Sequence, residues 1–200
     1  MAGLIVTAAV GAGITAVTFA QQPAAAGGQR PGGPPAPPLV MTSAAWQDGG
    51  VIPDKYTQAA GPQAVSPALS WSQAPPGTQS FVLLLHDPEP ALNKGSKMDV
   101  THWLVWNIPG TSTGLPEGVA AGELPDGTRQ VSLRANAYMG PGAPPGPYHH
   151  YTFELYALDT KIDVPQGQPQ QAAQTRQAVV DAMDGHVLAK AVLVARFHRQ

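Results

Sequence analysis

Five side chains able to move protons or hold a ligand stand where apolar runs meet loops rich in proline and glycine. Asp87 follows the apolar run Ser80–Leu85, and Glu89 lies two residues further on, between Pro88 and Pro90. His102 begins a second apolar run, Thr101–Ile108, and His149 begins an alternating one, His149–Leu158, that carries Tyr151 on the same side. Histidine N–H and tyrosine O–H groups donate to phosphate or carboxylate oxygens. An aspartate that accepts from a histidine fixes its tautomer and favours its cation. Read this way, the set is a small anion site. Asp87, His102 and His149 also fit a 2-His-1-carboxylate metal site. Asp87 and Glu89, two apart, could divide acid–base work. The spacing fits equally well a scatter of unrelated edge residues bonded to water. A hydrolase lacks a visible nucleophile: there is no cysteine, serine is scarce near these residues, no G-x-S-x-G occurs, and Ser66 and Ser70 sit where a strand begins.

The elements that must position these groups read as β. The continuous apolar run Ser80–Leu85 predicts a central strand buried on both faces. Thr101–Ile108 is rich in aromatic and β-branched residues, which suit a second strand. In the third, His149, Tyr151, Phe153, Leu155 and Ala157 share one face, and His150, Thr152, Glu154 and Tyr156 the other. Ala189–His198 is a fourth. Three strand ends can bring Asp87, His102 and His149 to one rim, under the long loops Pro88–Val100 and Asn136–Tyr148. One helix is predicted between Pro169 and Gly185. Ala172, Arg176, Val179, Val180 and Met183 recur there at helical spacing, and Gly185 stands where a C′ glycine belongs. His86 should face away from Asp87, His186 should close the helix, and His198 should be solvated. Trp71, Trp103 and Trp106 read as core, and Trp46 as a strand residue.

Composition supports many short elements. The chain has 200 residues with 22 Gly and 22 Pro, an excess that helical bundles do not tolerate. Its 43% hydrophobic and 12% charged residues are the reverse of a disordered balance. A net charge of −2 gives no basic footprint for nucleic acid. Residues 1–20 are apolar and uncharged, with a small-x-small end at Thr18 and Ala20. They read as a cleaved signal peptide, with an uncleaved anchor as the rival, although no Lys or Arg follows Met1. Residues 21–38 read as a mobile Pro/Gly-rich linker, and residues 39–200 as the folded domain of an exported protein, periplasmic or extracellular.

Several motifs occur in a shared order. They are Asp48-Gly49-Gly50-Val51-Ile52-Pro53-Asp54-Lys55-Tyr56-Thr57, Ser66-Pro67-Ala68-Leu69-Ser70-Trp71, His86-Asp87-Pro88-Glu89-Pro90, His102-Trp103-Leu104-Val105-Trp106-Asn107-Ile108-Pro109, Leu115-Pro116-Glu117-Gly118, Tyr138 to Pro145, and His149-His150-Tyr151. In this order the chain, from about Met41 to Arg199, resembles the phosphatidylethanolamine-binding protein family, in particular its bacterial Raf-kinase-inhibitor-like branch. The resemblance implies a mainly β fold, a Greek-key β-sandwich with a C-terminal helix. It implies a non-enzymatic protein, without cofactor or metal, that binds a phosphate, a carboxylate or a phospholipid headgroup at one end of the central sheet. Asp87, His102, His149 and Tyr151 would line that pocket, Glu89 would stand at the family's second Asp, and Tyr138, Gly140, Pro141 and Gly142 would form its wall. Peptidase inhibition, also found in the family, is the alternative. Three departures stand out: Pro90 follows Glu89 directly, His150 replaces a common Arg and by alternation points outward, and Gln58 stands where many relatives carry Cys.

Overall fold

The structure is a computed structural model that describes residues 37–92, 95 and 99–200. Residues 1–20, nearly all of the 21–38 linker, Lys94 and Lys97 lie outside the described residues. Among the described residues, nine strands form two sheets. A three-stranded sheet has β1 (Val40–Thr42), β3 (Leu69–Ser72) and β6 (Gly114–Leu115). The other strands are β2 (Gly50–Val51), β4 (Ser80–Asp87), β5 (Val100–Pro109), β7 (Arg129–Val131), β8 (His149–Leu158) and β9 (Val187–Phe197). They make a six-stranded sheet in the order β2-β9-β8-β4-β5-β7. All four predicted strands are present, and the fold is the expected sandwich.

The six-stranded sheet is buried on both faces, as the unbroken apolar run in β4 requires. One face carries Phe81, Leu83, Leu85, Tyr151, Phe153 and Leu155 and packs against Met41, Leu69, Trp71 and Leu115 of the small sheet. The other face carries Val82, Leu84, Leu104 and Trp106 and packs against Ile162, Val164 and the helix α1 (Ala172–Ala182). Each fully buried Leu or Phe side chain contributes roughly 2 kcal/mol through burial, so both faces hold the sheet in place.

Two irregularities in the β4–β5 ladder matter. Leu85 pairs with Trp103 and His86 with Thr101, so His102 has no partner and forms a bulge. By plain alternation from Leu104 and Trp106, His102 would face the helix; a bulge re-aims its residue. Here it turns His102 to the other face, where its ring meets Tyr151 edge-on at 5.1 Å. The second irregularity lies between Phe81 and Leu83, opposite Asn107, whose φ is +59°. The Asn107 amide stabilises that turn by exchanging two hydrogen bonds with the Ile162 backbone, 2.9 and 3.0 Å.

The helix differs in detail from its sequence pattern. Thr175, with Ala172, Val179 and Met183, is buried, whereas Val180 is exposed. Arg176 is mostly buried because it reaches Asp99, donating from Nη2 to Oδ2 at 3.1 Å. Gly185 adopts φ +76° one residue beyond the C′ position, in a turn closed by His186 N–H to Met183 O. Trp46 is buried but lies outside any strand, just after the bend at Ala44 and Ala45, held by Nε1–H to Val194 O at 3.1 Å. His198 is not a solvated tail: Nδ1 bonds Gly146 O at 2.5 Å, and its ring lies 4.1 Å from that of Tyr148.

Candidate functional site

Adjacent strands β8, β4 and β5 each end at one rim of the large sheet. β4 supplies Asp87, β5 supplies His102 through its bulge, and β8 supplies His149 and Tyr151. Asp87 is only 3% exposed. It accepts from His149 Nδ1 at 2.8 Å and from the Glu89 backbone N–H at 3.0 Å. His149 and Tyr151 rings stack at 6.5 Å. The sequence-predicted groups therefore converge, and Glu89 joins them through the turn Glu89–Leu92.

His150 points outward, as alternation predicts, but its Nδ1 bonds Glu89 Oε1 at 2.7 Å. It belongs to the rim after all, as a partner of an acid. Glu89 Oε2 is buried without a donor. Burial and the neighbouring Glu89 raise the Asp87 carboxyl above its usual range, with His149 acting against them. Burial also pushes Glu89 up, but hydrogen bonds from Asp87 and His150 outweigh it and leave Glu89 below its usual range. Two acids this close push their pKa values apart, with Asp87 the one that takes up its proton first as pH falls.

His102 is 4% exposed, and its Nδ1 faces two acceptors, Met139 O at 3.0 Å and Gly140 O at 3.1 Å. Nδ1 must therefore carry the proton. Burial, only partly offset by those carbonyls, lowers its pKa to about 4. At neutral pH His102 presents Nε2 as an acceptor. The sequence reading took it for an N–H donor to an anion; desolvation reverses that role. Tyr151 Oη accepts from the Gly142 and Ala143 amides at 3.1 and 2.9 Å, so those loop amides serve the tyrosine rather than a ligand. Burial first, and the Asp87 charge second, raise the Tyr151 pKa, which keeps its O–H a donor.

The expected wall is built on the Tyr56–Gln58 segment. Tyr138 donates to Tyr56 O at 2.7 Å and lies edge-on to Trp103, so its hydroxyl is spent on structure. A Cβ on Gly140 would fall 2.6 Å from Tyr56 O. A Cβ on Gly142 would fall 2.3 Å from Gln58 Nε2. Gln58 N–H donates to Pro141 O at 2.8 Å, and its Nε2 to Gly140 O at 2.9 Å. Glycine is thus required at position 140 by close approach of backbone, whereas a Cβ at position 142 would displace the Gln58 carboxamide that anchors the wall.

A metal could be held by Asp87, Glu89 and His149, whose ligand atoms lie within 4.8 Å of one another. His102 is not in that group: no ring nitrogen of it lies within that distance of all three. The 2-His-1-carboxylate set expected from sequence is therefore replaced by two carboxylates and one histidine. A cavity of about 670 Å³ beside Met183 and Val187 shares no residue with this rim.

A two-sheet sandwich with polar groups gathered at one end of a buried sheet is the build of a small-ligand-binding protein. The family model of phosphatidylethanolamine-binding protein matches residues 42–198, and the chain belongs to that family. A protein of Methanothermobacter thermautotrophicus, named UPF0098 protein, is 40% identical over 158 residues, 78% of this chain and 95% of that one. Two solved structures are similar, each at 29% identity. The phosphatidylethanolamine-binding protein homolog CT736 of Chlamydia trachomatis has a TM-score of 0.66 over 82% of this chain and 99% of its own. Escherichia coli YbcL has a TM-score of 0.65 over 81% and 99%.

Proposed function

We propose that this is a non-enzymatic binding protein whose rim takes a small zwitterionic phosphate ligand of the phosphoethanolamine type. The observation that carries the reading is the convergence of an acid pair, Asp87 and Glu89, with the Tyr151 and His149 donors at one sheet end. A bare dianion would meet the carboxylates and the neutral Nε2 of His102, all acceptors. A ligand with an ammonium group beside its phosphate meets both kinds of partner: N–H groups for the acids, oxygens for Tyr151 and His149. The absence of turnover is inferred from the hydroxyl inventory. Tyr151 stays protonated, Ser66 Oγ accepts from Val119 N–H at 2.9 Å, and the His149 nitrogen nearest an acid is occupied by Asp87. The apolar, uncharged residues 1–20 support export.

Calorimetry of phosphoethanolamine and inorganic phosphate, at about pH 5.5 and about pH 8, tests the reading. The expected result is tighter binding of phosphoethanolamine, weakened about tenfold or more in His149→Ala or Glu89→Gln. Equal affinity for the two ligands, or turnover of chromogenic esters that His149→Ala abolishes, overturns it. A second reading, a divalent cation on Asp87, Glu89 and His149, rests on their 4.8 Å grouping and is tested by metal analysis of protein purified without chelator.

A further inference from the structure

A second cleft, of about 410 Å³, lies between Gln58–Ala64 and Ser132–Gly140 and shares the wall residues Tyr138 and Gly140 with the rim, but none of its acids or histidines. Its polar lining is Gln58, Ser132, Arg134 and Arg199. Among the described residues no aspartate or glutamate lines it, and neither arginine forms a salt bridge. The rim carries the opposite charge: Asp87 and Glu89 there, two guanidinium groups here.

The Arg134 side chain and the Arg199 backbone are both tied to the same glycine-rich loop. Arg134 donates from Nη1 to Gln58 Oε1 at 3.2 Å, and Gln58 is fixed in turn by its bonds to Gly140 and Pro141. The Arg199 backbone N–H donates to Ala143 O at 3.2 Å, and the preceding His198 is pinned to Gly146 and Tyr148. Two exposed guanidinium groups line one concavity with no acidic side chain beside them, a lining that favours an anion. Guanidinium forks suit planar or tetrahedral oxyanions, which they can grip through two N–H groups at once. The volume lies within the range of small-molecule pockets. The charge of Arg134 also reaches His102, where it adds to the lowering of that pKa.

We propose that the Arg134–Arg199 cleft is an oxyanion site, distinct from the rim, for a small carboxylate- or phosphate-bearing ligand.

The full chain, labelled with nitrogen-15, is titrated with inorganic phosphate, and separately with acetate, near neutral pH. The Arg134 and Arg199 side-chain Nε–H signals and the amides of residues 132–140 are followed. Saturable shifts at both arginines are expected, and the dissociation constant should rise about tenfold or more in the Arg134→Ala, Arg199→Ala double variant. Lys190→Ala, which removes a cation outside the cleft, should keep the wild-type constant, and Arg134→Lys, with charge but no fork, should fall between. Backbone spectra of the variants check that they fold. Shifts confined to Asp87 and His149, or no saturable shift, overturn the proposal. Loss of phosphate binding in His149→Ala alone also overturns it, while leaving the rim reading intact. Loss in the arginine variants alone supports it whether or not the rim binds phosphoethanolamine.

Discussion

Two histidine–aspartate pairs sit at the same end of β4, on opposite faces. His86 turns toward the helix and bonds Asp99 through Nδ1 at 2.5 Å; Asp87, the next residue, turns toward the rim and bonds His149 at 2.8 Å. The dyad chemistry is the same, and the third partner differs. Asp99 receives Arg176 as well. Although burial opposes ionisation there, bonds from His86 and Arg176 drive its carboxyl far below the usual range. Asp87 receives a second acid, and its carboxyl is raised. A cation as third member makes a staple between strand and helix. An acid as third member leaves charge unsatisfied, and that deficit is what a ligand can supply.

The largest expected effect comes from breaking the staple. Asp99→Asn strands Arg176 and His86 against the sheet and should cost about 3 kcal/mol in urea unfolding, near the low end for buried pairs because these side chains retain some solvent. Asp87→Asn should stay within about 1 kcal/mol, since it removes a charge the fold already disfavours. Equal costs would erase the distinction drawn between the faces.

Acid sharpens the contrast next. His102 has a folded pKa of about 4 against 6.5 unfolded, so the unfolded chain binds more protons between those values. Stability contributed by neutral His102 is full above pH 6.5 and is lost as pH falls through that window, by about 3 kcal/mol in total. His102→Asn should flatten this part of the stability–pH curve. The two aspartates should show opposite slopes. The Asp99 contribution, from a depressed pKa, is present above its unfolded value of 3.8 and falls away below it. Asp87, with a raised pKa, binds its proton more readily when folded, so its term favours the fold as pH drops toward 3.8. Difference curves against Asp99→Asn and Asp87→Asn measure both. The smallest effect is electronic: in Glu89→Gln the Asp87 carboxyl should titrate lower than in the wild type, followed by carbon-13 shifts.

Much of this was legible in the sequence, for a local reason. The apolar continuity of Ser80–Leu85 and the alternation of His149–Leu158 are properties of single strands, so Asp87 could be set at a strand end and Tyr151 on the face of His149. Family motifs placed His102 with them. Alternation within β5 alone would have sent His102 to the helix, because its bulge exists only in the pairing with β4. The protonation of His102 was misread for a similar reason: its two carbonyl partners lie 37 and 38 residues away. Asp99, Arg134 and the His150–Glu89 bond escaped notice because each gains its meaning from a partner more than 60 residues distant. The one local hint was the double departure from the family pattern at Glu89-Pro90 and His150, where two unusual residues answer each other across the rim.

One further consequence follows from the pairing of β2 with β9, the parallel contact in the large sheet. Asp48 accepts from the Val194 amide, and Arg196 donates to Gly49 O, across 146 and 147 residues. β9 lies between β2 and β8, so the strand made last fills an interior place in the sheet. On the ribosome, Gly50 and Val51 must wait for almost the whole domain to be synthesised, and until then β8 offers an open edge to any passing strand. Closure of the sheet therefore waits for β9 and is slow by topology, and a chain that has made β8 but not β9 is the form most open to wrong pairing.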